Sequence, residues 1–365
     1  MTALVVMVSL AALLIAASYL ILNYYPPLGS KDKGPSVYGS PHYAEGKFSY
    51  FLPTKMDMRL STSLSMLFDF MKGNPNAKPK QPLRPERWIP QEHRDDQTRV
   101  TWLGHSAMIV EVNGSILLLD PMLGSAPSPF PFMGGKRYSK QLPFDIQELP
   151  EIDAVLFSHD HYDHLDYGTM MRIKDKVRRF IVPLGVKAHL VRWGVDADII
   201  SEHDWWDNLE YEGLSLTCAP ARHFSGRSLG DRDASLWCSW VIDSGTSRIF
   251  FSGDSGYGPH FEEIGNRCGP FDLTLMECGQ YDERWAPIHM MPEQTVQAHL
   301  DVQGKLMLPI HWGAFTLAFH DWTDPVERAV AAAEKQGVSI VTPRIGEAVQ
   351  LGSRQLPRTK WWRAV

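Results

Sequence analysis

Nine residues constrain this chain more than any others: Ser158-His159-Asp160-His161-Tyr162-Asp163-His164-Leu165-Asp166. They follow the apolar run Ala154-Val155-Leu156-Phe157, which reads as a short buried strand. Side chains alternate along a strand, so a chain leaving it in extended form sets His159 and His161 on one face. A turn into a following helix brings Asp163 and His164 back toward the same point. Imidazole nitrogens and carboxylate oxygens gathered in this way suit zinc or a similar borderline divalent ion. A helix cap needs one small polar side chain, not three histidines with interleaved carboxylates.

One cluster does not close a site, and three further residues stand at the ends of apolar runs. His223 follows 214–220, Asp254 follows 249–253, and His311 follows 305–310. Gly253 and Gly256 allow a sharp turn around Asp254. Taken singly, each has a plain structural reading as a hydrogen-bonded histidine or a turn aspartate. Their recurrence at strand ends, beside the histidine cluster, points to a shared metal site. His105 and Asp120 lie in an opening hairpin, placed to hold ligand histidines from behind. Arg222, Arg227 and Arg232 flank His223 and offer guanidinium forks for a phosphate, with ion pairing to Asp231 and Asp233 as the alternative.

The order HxHxDH, His223, Asp254, His311 resembles the metallo-β-lactamase-fold hydrolases. The resemblance extends to TWLGHSAMIVEVNGSILLLDP at 101–121, KRY at 136–138, HFSGR at 223–227, DRDASLW at 231–237 and PIHWGAF at 309–315. These segments are similar to the branch of N-acylphosphatidylethanolamine-hydrolysing phospholipases D and its bacterial relatives. The resemblance implies an α/β (α+β) fold, the four-layer αββα sandwich, with two divalent ions between the sheets. It implies His159, His161 and His223 on one ion, Asp163, His164 and His311 on the other, and Asp254 bridging them. Zinc is the first expectation, and iron or manganese also accept this ligand mixture. Asp163, Asp254 and His289 would then carry catalysis through a metal-bridging hydroxide, with Arg227 and His289 contacting substrate. The expected reaction is hydrolysis of a phosphodiester in an N-acylphosphatidylethanolamine-like membrane lipid. A lactone or other carboxylic ester is the alternative substrate on the same metals. Cys218, Cys238, Cys268 and Cys278 fall at none of these ligand positions, which argues against antibiotic hydrolysis.

Composition narrows the partners. The formal charge of −6 spreads without a long basic run, so a nucleic-acid substrate is not expected. Four scattered cysteines imply neither a disulfide framework nor a zinc ribbon. A membrane-attached binding protein with a structural metal site would need four ligands, whereas seven are expected here. A homodimer is compatible with the sequence.

Residues 3–22 are apolar apart from Ser9, Ser18 and Tyr19, long enough to span a bilayer as a helix. No Lys or Arg precedes this run, and Lys31 and Lys33 follow it, which favours an uncleaved anchor and a cytoplasmic catalytic domain. A signal peptide with export to the periplasm is the rival. The chain therefore divides into an anchor or uncleaved signal (1–23), an N-terminal extension (24–96), the hydrolase domain (97–352) and a C-terminal tail (353–365). In the extension, Leu60, Leu64, Phe68 and Met71 form a helical stripe expected to pack on the main domain. Strands are expected near 99–103, 107–112, 115–120, 153–158, 178–182, 213–219, 235–243, 247–252, 271–276 and 305–310. Helices are expected near 165–173, 184–193, 259–266, 292–302 and 324–336. Trp361 and Trp362 fall in a tail expected to be disordered.

Overall fold

In the structure, a computed structural model describing residues 2–54, 56–57, 59–90 and 97–365, the apolar runs pair into two large sheets. The last residues of the expected N-terminal extension, 91–96, lie outside the described residues. An exposed helix, α1 (Thr2–Tyr24), opens the chain and is long and apolar enough to cross a membrane. A short ribbon of β1 (Tyr43–Ala44) and β2 (Lys47–Phe48) follows, then α2 (Leu60–Lys72).

The first large sheet takes β3 (Arg99–Trp102), β4 (Met108–Val112), β5 (Ser115–Leu119), β6 (Ile152–Leu156), β7 (Val177–Pro183) and β8 (Ile200–His203) in that order. Helices α3 (Tyr167–Ile173) and α4 (Lys187–Arg192) join its later strands. The second sheet runs from β9 (Asn208–Tyr211) through β10 (Leu214–Ala219), β11 (Ser239–Asp243), β12 (Arg248–Phe251) and β13 (Leu273–Glu277) to β14 (Met307–Ile310). Around it lie α5 (His260–Cys268), α6 (Pro292–Asp301) and α7 (Asp324–Gln336), and β15 (Ala348–Gln350) returns to pair with β3.

Period-two alternation explains the layers. In β4, β5 and β6 the residues Met108, Val110, Leu117, Leu119, Ala154 and Leu156 face the second sheet. Their neighbours Ile109, Leu118 and Val155 face the layer of α3 and α4. In β11, β12 and β13, Trp240, Ile242, Phe251 and Leu275 point inward, while Val241, Phe250 and Met276 point toward α5, α6 and α7. Strands buried on both faces read as continuous apolar runs, which is why their positions were legible. The result is the αββα sandwich. β5 and β6 are parallel, as are β12, β13 and β14, and β10 runs in the direction of β12 because each is antiparallel to β11. Within each sheet, the C-terminal ends of these strands therefore open onto one edge.

Two expectations fail. The α2 stripe does not pack: Leu60, Leu64, Phe68 and Met71 are 76, 56, 66 and 76% exposed. The helix is held instead through its polar side, where Arg284 donates to Asp69 at 2.7 Å and to Ser65 at 3.2 Å. The C-terminal tail is ordered, with Trp361 and Trp362 buried. Their rings meet Trp312 at 5.7 Å, Trp361 also lies 6.3 Å from Trp322, and their indole N–H groups donate to Pro343 and Glu327. Two large aromatics repay the entropy of ordering the tail. Trp362→Ala is therefore expected to lower the unfolding free energy by about 3–5 kcal/mol, read by denaturant titration; a peripheral tail would leave the midpoint in place.

Candidate metal centre and active site

The site is assembled from strand ends. β6 runs through Phe157 and Ser158 into the histidine loop, β10 leads to His223, β12 to Asp254 and β14 to His311. Gly253 has φ +55°, and a Cβ there would lie 2.7 Å from that of Ser158, so glycine alone lets the Asp254 turn meet the histidine loop. Left-handed backbone recurs at non-glycine residues around this edge: His105 (φ 56°), Asp120 (φ 40°), Gln280 (φ 62°) and His311 (φ 65°). Such strain gathers where side-chain positions are over-determined by their surroundings.

The inward-facing atoms fall into two groups. His159 Nε2 and His223 Nε2 lie 2.9 and 3.2 Å from His161 Nδ1. His164 Nε2 and His311 Nε2 approach Asp254 Oδ2 at 3.0 and 3.2 Å, and lie 3.5 and 3.3 Å from Asp163 Oδ2. Asp254 Oδ2 is also 3.8 Å from both His159 Nε2 and His223 Nε2, which places it between the groups.

The outward nitrogens are partnered. His164 Nδ1–H donates to Asp120 at 2.7 Å, and His223 Nδ1–H to the Ile288 carbonyl at 2.9 Å. His159 Nδ1–H reaches Ser158 Oγ at 2.9 Å, and that hydroxyl donates to Asp120 at 2.5 Å. For His159 and His223 the bond fixes a tautomer whose lone pair faces the cluster, and for His164 it fixes the orientation of the ring. His105 Nε2–H donates to Asp163 at 2.8 Å. His105 and Asp120 thus stand behind the clusters.

Burial holds His159 and His223 well below the ordinary imidazole pKa and His161 at about 4, so their nitrogens are neutral donors. Burial also opposes charge on Asp163 and Asp254, yet His164 and neighbouring imidazoles hold both well below the usual carboxylate range. In return, and against their own burial, His164 is raised well above the imidazole range and His311 is pushed up to about 10, Asp254 foremost among the causes. The imidazoles of His164 and His311 thus stand beside the carboxylates where a cation would otherwise pair with them. Asp254 Oδ1 is buried with no hydrogen-bond partner among the described residues. These His/Asp clusters are able to bind metal ions, and the donor set fits zinc, iron or manganese.

A cavity of about 430 Å³ opens onto both groups, walled by Met56, Met66, Phe224, Trp285, Ile288 and Leu317. Larger grooves of about 960 and 920 Å³ lie elsewhere on the surface, away from the histidine–carboxylate clusters. His289 lines the reactive cavity, its ring 5.0 Å from those of His223 and His311. Arg227 does not face it. That side chain is buried, donating to the carbonyls of Asp160, Leu165 and Pro27, so its expected substrate contact is replaced by a clamp on the N-terminal segment. Arg222 is likewise spent on the Pro53 and Tyr257 carbonyls, and Arg232 lies over Phe224 with Asp233 at 3.7 Å.

Three functional neighbours went unread. Glu277 ends an apolar run exactly as the ligand positions do, a signal that would have found it. Gln280 donates to the His311 and Phe315 carbonyls. Asp160, inside the motif itself, is buried and accepts from Gly226 N–H and Ser235 Oγ–H.

Histidines and aspartates at the open edge of an αββα sandwich define a metal-dependent hydrolase. The chain belongs to the metallo-β-lactamase superfamily: residues 116–312 match the beta-lactamase superfamily domain. It is 40% identical over 332 residues to the uncharacterized protein Rv0906 of Mycobacterium tuberculosis, spanning 89% of this chain and 88% of that one. It is 31% identical over 279 residues to N-acyl-phosphatidylethanolamine-hydrolyzing phospholipase D 1 of Caenorhabditis elegans, spanning 72% and 78%. The solved structure of Igni18, a metallo hydrolase of Ignicoccus hospitalis, superposes with a TM-score of 0.56 at 20% identity, covering 71% of this chain and 100% of that one. That likeness shows the fold.

A metal held by His164 and His311 would require their Nε2 atoms unprotonated. Because the neighbouring carboxylates shift both rings toward protonation, metal loading is expected to release protons. Affinity should then fall as pH falls below the raised imidazole values, measured by calorimetry in buffers of differing ionisation enthalpy. Release of no protons would show these rings already neutral.

Proposed function

We propose that the chain is a membrane-anchored, two-metal phosphodiesterase of the phospholipase D type, acting on N-acylphosphatidylethanolamine-like lipids. The observation that carries this reading is the convergence of seven histidine and aspartate side chains on two groups sharing Asp254, beneath an apolar-walled cavity. His159, His161 and His223 would hold one ion, Asp163, His164 and His311 the other, with Asp254 between; zinc is the first candidate. Two bound cations supply a nucleophilic water at neutral pH and positive charge opposite a phosphodiester. His105 holds Asp163 in place, and Asp120 holds His164. His289 faces the cavity, where its ring contacts the phosphoryl group or the departing alkoxide. The apolar wall excludes water and suits the alkyl part of an amphiphile. The activity in the worm relative's name supports the lipid, and α1 would bring the site to a bilayer with the catalytic domain on the cytoplasmic side.

Zinc-loaded protein in detergent, given N-acylphosphatidylethanolamine, is expected to yield N-acylethanolamine and phosphatidate together by mass spectrometry, and Asp254→Ala neither. Absence of both products from protein carrying two metals would shift the substrate to lactones or simpler esters. An alkaline wash of membranes should leave the full chain in the pellet; release to the supernatant would remove α1 as an anchor.

A further inference from the structure

Glu277 is a fully buried carboxylate at the end of β13. Its main chain is pinned, the N–H donating to Ser252 Oγ at 3.0 Å and the carbonyl accepting from Thr295 at 2.8 Å. Oε1 accepts the Met290 N–H at 2.8 Å. Oε2 faces two imidazoles, Nδ1 of His289 at 3.2 Å and Nδ1 of His311 at 3.4 Å. The two rings stack with centres 5.0 Å apart and planes 20° apart.

A carboxylate oxygen so placed accepts from Nδ1–H, and the His311 Nδ1 also meets the Gly279 carbonyl at 3.4 Å. The opposite nitrogen of each ring is then directed away from Glu277. For His311 it meets Asp163 and Asp254. For His289, whose ring lines the cavity, it is presented on the substrate side. Glu277, His289, His311 and Asp254 each bring a possible ligand atom within 4.8 Å of the others, but the Glu277 oxygens are already engaged by the Met290 N–H and the two imidazoles.

We propose that Glu277 is a positioning residue shared by two histidines. By accepting Nδ1–H from both, it aims His311 Nε2 into the metal cluster and His289 Nε2 at the substrate. A single buried acceptor thereby couples the geometry of the metal side to that of the substrate side. This rests on the reading of His311 as a ligand and of the cavity as the substrate site. Without Glu277, His311 Nδ1 keeps only the Gly279 carbonyl, at 3.4 Å, and no acceptor of His289 Nδ1 other than Glu277 is found among the described residues.

The test compares the full chain with Glu277→Gln, which preserves size and removes the charge. In zinc-loaded, isotope-labelled protein, both histidines are expected as Nδ1–H tautomers by imidazole nitrogen NMR. In Glu277→Gln the His289 tautomer should change, and zinc affinity should fall about tenfold. At saturating zinc, kcat on N-acylphosphatidylethanolamine should fall about 10–100-fold with KM nearly unchanged. His289→Ala should lower kcat while keeping bound zinc, and should add little in the Glu277→Gln background, because the two act as a unit. Full turnover in Glu277→Gln, independent losses in the double variant, or an Nε2–H tautomer of His289 in the parent chain would overturn the proposal. The last measurement holds even where the variant fails to fold. Should the parent chain leave the lipid intact, the lipid reading fails on its own, while the tautomers and zinc titration still judge Glu277.

Discussion

The histidine loop depends on the buried Asp120 carboxylate. From the end of β5 it accepts the Ser158 backbone N–H at 2.7 Å, the Ser158 hydroxyl, and Nδ1–H of His164. Burying an ionised carboxylate costs several kcal/mol unless its oxygens are satisfied, and here three donors do so. The same bonds fix where the loop leaves β6, which way His164 faces and, through Ser158, which nitrogen of His159 is protonated. The protein's own hydrogen bonds thus orient the nitrogens that face the cluster.

Asp160 plays the matching part from the other side, and it ties the loop to the N-terminal segment. Lys33 is buried, with its Nζ 3.9 Å from Asp160, 3.7 Å from Asp231 and 2.8 Å from His189 Nε2. The chain on either side of Pro27 is gripped as well: Arg227 takes its carbonyl, Trp193 that of Pro26, and Arg192 those of Asn23 and Gly29. The segment following α1 is thus part of the packing behind the histidine loop. Its backbone carbonyls accept from the buried Arg227 and the exposed Arg192, and its ammonium lies within 4 Å of two buried carboxylates.

What was legible in the sequence follows from where the physics is local. β4, β5, β6, β12 and β13 are apolar on both faces, so runs of valine, leucine, isoleucine and phenylalanine disclose them. Of the edge strands, β8, β9 and β15 escape notice. β9 is four residues long and alternates exposed Asn208 and Glu210 with half-buried Leu209 and Tyr211, while β15 has only three residues. The site residues were visible because each follows a strand, and a polar side chain there meets the sheet edge. Arg227 was misread because a guanidinium near a ligand looks the same in sequence whether it faces solvent, substrate or a backbone carbonyl. The stripe on α2 was misread for a related reason. Helical spacing of Leu60, Leu64, Phe68 and Met71 discloses an apolar face, but the polar contacts of Ser65 and Asp69 with Arg284 decide which face meets the domain.

That inversion bears on the cavity. Met66 lines it from α2, and Asp57 is held by the Arg284 carbonyl and by the Thr62 hydroxyl. The N-terminal extension thus supplies part of the wall through Met56, Asp57 and Met66. Inside, the floor is charged and fixed by hydrogen bonds; at the wall, methionine and tryptophan exclude water. A group with a charged centre and an apolar body matches both surfaces at once, because the low-polarity wall strengthens every electrostatic contact made on the floor. A fully polar substrate would satisfy the floor and leave the wall unused.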